Sequence, residues 1–457
     1  MASKSKRLRQ NTELPNKTIK RIGYLSVFVF LVKLLIIWRI SNLTISQVQG
    51  HIWLGADGEN YLSGVDGLIA NGFLSKAEIL NYWPAGYPIV IYIFSLFGKM
   101  WTLTILSIVQ TFLFCLSTYL FIRELCLSRL RKYVYLIFIL VTFNPTLSLN
   151  SLALGYESLV ASGFILIMYL ILKNFRQSFP YVSAKTLALI STIFSFLSFM
   201  QPRFLLTSFL IVLGLLFFVS KFKKLKLVKM SIIYSLVIIL LPCSLILRNH
   251  LALGYNTIST NLGITMSIGA GETNGSYNPK NLLPCDVTGL NSQQADSKRI
   301  SCVFDWYVKN PAKASQLFIN KSIYFWSPWF GPLATGTMNR NPWKSIHPLK
   351  GMLNSEASFA LLMGNLGKLV SWLWLLGGLV FLFYGFFVLW RAKFELRVIS
   401  AIAMLIVISS WLVTLISIGD HRFRLPIMGA SLFLQAVGIR TLFSSGKPPM
   451  VQPPSLR

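Results

Sequence analysis

The sequence predicts an all-α integral membrane protein with about ten transmembrane helices and further helices lying along its outer face. Three observations carry this expectation. Only 12% of the 457 residues are charged and 54% are hydrophobic, whereas a soluble globular domain carries about a quarter charged residues. The mean hydropathy is +0.61. The 43 Lys and Arg, set against 14 Asp and Glu, fall in short clusters between long apolar runs, as in a multispanning protein that keeps its basic loops in the cytoplasm. Nucleic acid is not an expected partner of such a charge pattern, and a cytosolic enzyme is excluded.

An apolar run of about 17 or more residues crosses a core of roughly 30 Å at about 1.5 Å rise per residue. The runs are 22–40, 102–122, 131–147, 155–173, 186–200, 203–220, 229–247, 369–390, 397–416 and 425–442. A further run, 86–98, is too short to cross. Leaving it at the outer face places the basic N-terminus and three basic turns on one side: Arg123/Arg129/Arg131/Lys132, Lys221/Lys223/Lys224/Lys226/Lys229 and Arg391/Lys393/Arg397. That side is the expected cytoplasm. The domain plan is a basic cytoplasmic N-terminus (1–21), a transmembrane module (22–247) with an outer loop (41–101), an extracytoplasmic region (248–368), C-terminal transmembrane helices (369–442) and a Pro-containing cytoplasmic tail (443–457). No small-residue cleavage pattern follows 22–40, so it reads as a retained helix rather than a signal peptide. Gln201-Pro202-Arg203 separates two runs that could form a broken pair.

Cys285 and Cys302 lie in the second outer segment. They form either a disulfide around 16 intervening residues or two unpaired buried thiols. No Cys/His spacing supports a zinc site.

The polar residues that break the apolar pattern sit mainly on the outer side. Asp57 stands just beyond the first span and is followed by Tyr61, Ala70-Asn71-Gly72 and Trp83-Pro84-Ala85-Gly86-Tyr87-Pro88. Glu157 opens the 155–173 run, where an ionisable group is costly unless hydrated, paired or liganded. Two carboxylates brought together could bind a divalent cation, or one could act as a base while the other positions the acceptor; a solvated acid beside a span is the plain alternative for Asp57. Arg203, Arg248, His250, Arg422 and Arg424 collect at outer span ends against the cytoplasmic bias. Arginine suits fork-like phosphate recognition, although snorkelling to lipid phosphates also places Arg at span ends. Gly269–Gly275 has neither the spacing nor the strand context of a nucleotide-binding loop. Trp326-Ser327-Pro328-Trp329-Phe330 reads first as an interface anchor, and Lys321 and Lys368 as solvated charges.

Taken in order, these pieces resemble the polyprenyl-phosphate-dependent GT-C glycosyltransferases, especially the bacterial ArnT-like and protein O-mannosyltransferase-like group. The resemblance extends over roughly residues 20–440. It is carried by Asp57 with Tyr61, the Trp83–Pro88 turn, Glu157 after Pro145, Arg248-Asn249-His250 with Ser259-Thr260-Asn261, Phe325-Trp326-Ser327-Pro328, and Arg422-Phe423-Arg424-Leu425-Pro426. It departs from the pattern at Pro202-Arg203, where the family has Arg before Pro.

The resemblance implies a GT-C-type helical fold and transfer of a sugar from a polyprenyl-phosphate-linked donor, with inversion, to a glycan, lipid or protein acceptor at the outer face. It implies Asp57 and Glu157 as catalytic acids and candidate ligands of a divalent metal. Tyr61, Arg203, Arg248, His250, Arg422 and Arg424 become donor-binding candidates. The further expectations are a monomer among membrane lipids, with both termini cytoplasmic and no nucleotide cofactor. A lipid or polysaccharide transporter, or a transferase using a lipid-linked oligosaccharide, is the alternative; a transporter requires a continuous passage.

Overall fold

The computed structural model describes residues 2–55, 57–178, 180–219, 224–270, 275, 282–327 and 359–443. Of the features named above, Lys221, Lys223, Gly271–Asn274, Pro328–Phe330, the Lys368 side chain and residues 444–457 lie outside the described residues. The helices, in chain order, are α1 (Ala2–Arg39), α2 (Gly58–Asn71), α3 (Ile79–Tyr82), α4 (Gly86–Ser95), α5 (Thr102–Leu127), α6 (Val134–Thr142), α7 (Pro145–Leu149), α8 (Glu157–Ser178), α9 (Ala184–Met200), α10 (Leu205–Val219), α11 (Lys224–Leu253), α12 (Leu262–Ala270), α13 (Ser292–Lys309), α14 (Pro311–Trp326), α15 (Phe359–Trp390), α16 (Phe394–Ile416) and α17 (Met428–Phe443). Two-residue strands supply the only described sheet: β1 (Asn42–Leu43) antiparallel to β2 (Gly50–His51), and β3 (Trp53–Leu54) parallel to β4 (Ala153–Leu154).

Among the described residues, eight helices are long and apolar enough to cross a membrane, and a ninth crossing is a pair, Arg131–Thr142 and Thr146–Leu152, bent by 57°. With the shorter apolar helix α9, these correspond to the ten expected runs. The third run breaks because Asn144 caps a new helix, its side chain accepting the Leu147 N–H at 3.0 Å, and Pro145 has no N–H with which to continue the old one. The fifth run is α9, with 17 residues, or about 25 Å of helix against a core of roughly 30 Å. Ser183 caps its start, and Gln201-Pro202 ends it.

Hydrogen bonds nevertheless show α9 running between the same two levels as its neighbours. At one level Val182 N–H donates to Val219 O (2.9 Å), Tyr133 Oη meets Thr441 Oγ1 (3.1 Å), Arg129 approaches Glu395 (3.8 Å) and Arg176 pairs with Glu124. At the other, Gln201 Nε2 donates to Tyr156 Oη (3.2 Å) and His51 N–H to Thr104 Oγ1 (2.8 Å). The basic turns at 129–132 and 391–397 belong to the first level. Lipid tails are as apolar as leucine, so packing and interhelical polar links hold such helices together; Thr207 Oγ1 meets Ser409 Oγ at 2.7 Å between α10 and α16.

The short 86–98 run becomes α4, which lies at the second level, where Tyr87 Oη donates to Gln110 Oε1 (2.9 Å). Above it, α12–α14 form a small helical layer. Asp296 of α13 accepts the Gly263 N–H of α12 (2.6 Å), Thr260 N–H donates to Asn81 O (2.9 Å), and a Cys285–Cys302 disulfide ties the preceding loop to α13.

Candidate active site

The two acids lie 100 positions apart in sequence, and a four-residue ladder aligns them. Trp53 pairs with Ala153 and Leu54 with Leu154 in parallel, so the third residue beyond each strand, Asp57 and Glu157, emerges on the same side. The register requires Gly55: a Cβ there would lie 2.3 Å from Leu154 O. Both acids then open helices. Asp57 precedes α2 and Glu157 begins α8, and a helix N-terminus favours negative charge. Both are buried.

Arg422 reaches this pair from the far end of the chain. After α16 the chain turns at Ser417–Asp420 and enters a 3-10 run, His421–Ile427, whose start is capped by Asp420 Oδ1 accepting the Arg422 N–H at 2.7 Å. Arg422 Nη1 lies 2.8 Å from Asp57 Oδ2, and its Nε lies 3.9 Å from Glu157 Oε1. The guanidinium is therefore closely ion-paired with Asp57 and more loosely with Glu157. All three groups are at least nine-tenths buried, where opposite charges interact far more strongly than in water. Tyr61, Tyr87 and Tyr156 form the wall behind, with the Tyr61 ring edge-on to Tyr87 at 4.9 Å and to Tyr156 at 6.5 Å. Burial, reinforced by Tyr156, Asp57 and Glu157 and opposed by Arg422, pushes the Tyr61 phenol well above its ordinary range. Burial also raises Tyr156, so these phenols remain protonated.

A cavity of about 160 Å³ opens in front of this set, lined by Asp57 and Arg422 together with Trp83, Gln201, Arg203, Asn261, Thr265, Asp420, Phe423 and the C-terminal part of α16. Glu157 does not line it. Glu157 faces a smaller void of about 10 Å³, shared with Asp57, Tyr61, Asn150 and Arg422. Arg203 sits among three rings, its Cζ 4.3 Å from the Phe423 centroid, 5.0 Å from Phe204 and 5.6 Å from Tyr156. Its Nη2 is buried without a hydrogen-bond partner among the described residues. A half-buried guanidinium with a buried, unused donor beside a cavity is suited to an anion.

The structure thus brings Asp57, Glu157, Tyr61, Arg203 and Arg422 together. It does not bring the other donor-binding candidates to the cavity wall. Arg248 is fully buried but spends its donors on Phe73 O (3.2 Å), Leu80 O (3.4 Å), Asn249 Oδ1 (2.8 Å) and Ser75 O. His250 is exposed, bonded to Asn256 Oδ1 at 2.9 Å. Arg424 turns away from Arg422, donating to Ser327 O and lying 5.8 Å from the Trp326 ring. The expectation of a solvated Lys321 is corrected: its side chain is buried, with Nζ donating to Tyr307 Oη (2.9 Å) and Leu415 O (3.0 Å). Burial lowers its pKa to about 7 and raises that of Tyr307 to about 12.

Of the lining residues, Trp83 and Asn261 belong to segments the sequence already singles out and Asp420 lies two residues before one, whereas Asn150, a polar residue within an apolar stretch, belongs to none. Among the described residues no group of three or more His, Cys, Asp or Glu could hold a metal ion.

Fold and site together define the class: an all-α multispanning membrane protein with a buried acid–arginine–acid set beside a cavity at one end of its helix bundle. No protein-family model matches the sequence, and no curated protein does. Among solved structures, the archaeal oligosaccharyltransferase AglB from Archaeoglobus fulgidus, in complex with an inhibitory peptide and a dolichol-phosphate, matches over 92% of this chain and 50% of its own, with 12% identity and a TM-score of 0.46. The chain spans about half the length of that protein.

Proposed function

We propose that this protein is a membrane glycosyltransferase that moves a sugar from a polyprenyl-phosphate-linked donor to a glycan, lipid or protein acceptor on the extracytoplasmic face. The observation that carries the reading is the cavity lined by Asp57, Arg422 and Arg203: a carboxylate and two guanidinium groups converge where acceptor, anomeric carbon and phosphate must meet. The basic turns at the opposite end support a cytoplasmic location for that end, and hence an outward-facing site with both termini inside.

In this reaction Asp57 accepts the proton of the acceptor hydroxyl. The acceptor oxygen bonds to the anomeric carbon as that carbon's bond to the phosphate oxygen breaks, inverting the centre. The electron pair departs on the polyprenyl phosphate, whose growing charge Arg203 and Arg422 stabilise. Glu157 touches no substrate in this scheme; it holds Arg422 from behind. Arg422 also supplies, between the acids, the positive charge a divalent cation would otherwise bring. A metal held by the oxygens of Asp57 and Glu157, donors that suit a hard cation, would have to displace that guanidinium from Asp57.

The test is release of polyprenyl phosphate from a panel of radiolabelled lipid-linked monosaccharides by the purified protein in lipid, with membrane extract as acceptor. Transfer by the wild type and its loss in a folded Asp57→Asn variant are the expected results. No transfer across the panel would refute the reading.

A further inference from the structure

Lys33 lies within the first membrane span and is buried. An ionisable side chain at that depth is expensive and calls for partners. Its Nζ donates to Ser148 O at 2.7 Å and Ser151 Oγ at 3.1 Å, and sits 4.3 Å from the Phe114 ring centroid. The two serines belong to the short helical turns that lead from α7 to β4, the second limb of the bent pair, and that end three residues before Glu157. Backbone groups freed at a helix break within a membrane need partners from the protein around them.

The bonds continue from Lys33 to the acid. Thr111 Oγ1 donates to Ser151 O (3.3 Å), and Gln110 Nε2 donates to Ala153 O (3.0 Å). Gln110 Oε1 accepts from Tyr87 Oη (2.9 Å), which itself accepts the Gly155 N–H (2.9 Å). Gly155 lies against the Glu157 carboxylate so closely that a Cβ would stand 2.3 Å from Oε2. Ala153 and Leu154 are also the residues that pair with Trp53 and Leu54. One polar chain therefore fixes both the ladder that aligns the two acids and the backbone on which Glu157 rests.

We infer that Lys33 is a positioning residue for the reaction, setting the 148–155 segment so that Glu157 stands behind Arg422 at the register of Asp57. The inference rests on the transferase reading for its kinetic consequence, but not for its structural one. A displacement of about 1 Å at a reacting group costs on the order of 10²-fold in rate, and Lys33 does not line the cavity. Lys33→Met should therefore lower kcat by about that factor and leave the donor KM unchanged. Lys33→Arg, which retains a donor, should recover part of the loss.

Two readouts test this together: the kcat-against-KM split, and hydrogen exchange of the 145–157 region in lipid. Lys33→Met should speed exchange there while α16 and α17 stay protected. Tyr87→Phe, at the other end of the chain with almost no change in volume, should give the same kcat split and faster exchange at 153–157; it stands in if Lys33→Met fails to fold. Faster local exchange in Lys33→Met, with a wild type that transfers no sugar, would sustain the structural role of Lys33 and reject the transferase reading. Unchanged exchange and unchanged kcat in the folded variants would overturn the inference, as would a donor KM that rises while kcat holds.

Discussion

Asp57→Asn separates catalysis from folding at this site. The carboxylate lies 2.8 Å from Arg422 Nη1, a contact of on the order of 6 kcal/mol in gross Coulomb energy at an effective dielectric of about 20. Glu157 lies 3.9 Å from the same guanidinium and retains on the order of 4 kcal/mol by the same measure. Asparagine keeps an oxygen facing Nη1, and Glu157 keeps the guanidinium charge-paired. The expected stability loss is therefore only about 1–3 kcal/mol, that of a weakened buried polar contact. Arg422→Met, by contrast, strands two buried carboxylates and should cost about 3–5 kcal/mol or more.

The proton acceptor is nevertheless gone, and loss of a positioned base lowers turnover by about 10²–10⁴-fold. Turnover is measured as labelled polyprenyl phosphate released in proteoliposomes, with thermal unfolding of the same preparation as the folding control. Glu157→Gln should reduce turnover less, because Glu157 lines the void behind the pair and not the cavity. Undiminished turnover in Asp57→Asn, or a deeper loss in Glu157→Gln, would refute this division of roles.

Arg203→Met should raise the donor KM about tenfold to a hundredfold, the equivalent of a charge-assisted hydrogen bond of roughly 1.5–3 kcal/mol, as read from initial rates against donor concentration. Arg203→Lys should not restore it, because an ammonium lacks the planar fork of a guanidinium. Arg248→Met should behave oppositely, lowering the midpoint of thermal unfolding by stranding the carbonyls of Phe73, Ser75 and Leu80 while the donor KM of the folded fraction stays at the wild-type value. Lys321 predicts a pH effect on stability. Its folded pKa of about 7 lies below the ordinary 10.5, so between these values the unfolded chain binds the extra proton and stability rises with pH, by up to about 1.4 kcal/mol per unit. Tyr307, raised to about 12, stays protonated through the lower part of that window. Thermal unfolding at pH 7, 8 and 9 should show the rise in the wild type, and Lys321→Met should flatten it.

The membrane architecture was legible because its signal is local. A run of some twenty apolar residues dictates a helix without reference to the rest of the chain, and each expected run is found as a helix or a bent pair. What the apolar pattern missed was the break in the third run, where Asn144 caps a new helix among residues whose apolar character suggested continuation. Lys321 failed for a different reason. A lysine in a polar outer segment reads as solvated, and only the packing of Gly419 and Gly275 against it reveals a buried amine.

The site was legible in its residues but not in its geometry. Asp57 and Glu157 could be named because acids are rare in this chain, yet nothing near either of them states that they meet. Their meeting depends on a ladder of two residues per strand, on a glycine that admits a carbonyl at 2.3 Å from where its Cβ would be, and on an arginine arriving from the opposite end of the chain. The twin arginines illustrate the same limit. Arg422 and Arg424 look equivalent in a short motif, but a 3-10 run turns by about a third of a circle per residue, so residues two apart must face different surroundings. One arginine closes the acid pair while the other secures the backbone at Ser327. Two arginines that look alike in the motif are, in three dimensions, one charge for the site and one fastening for its wall, and in the proposed reaction Arg203 rather than Arg424 joins Arg422 at the cavity.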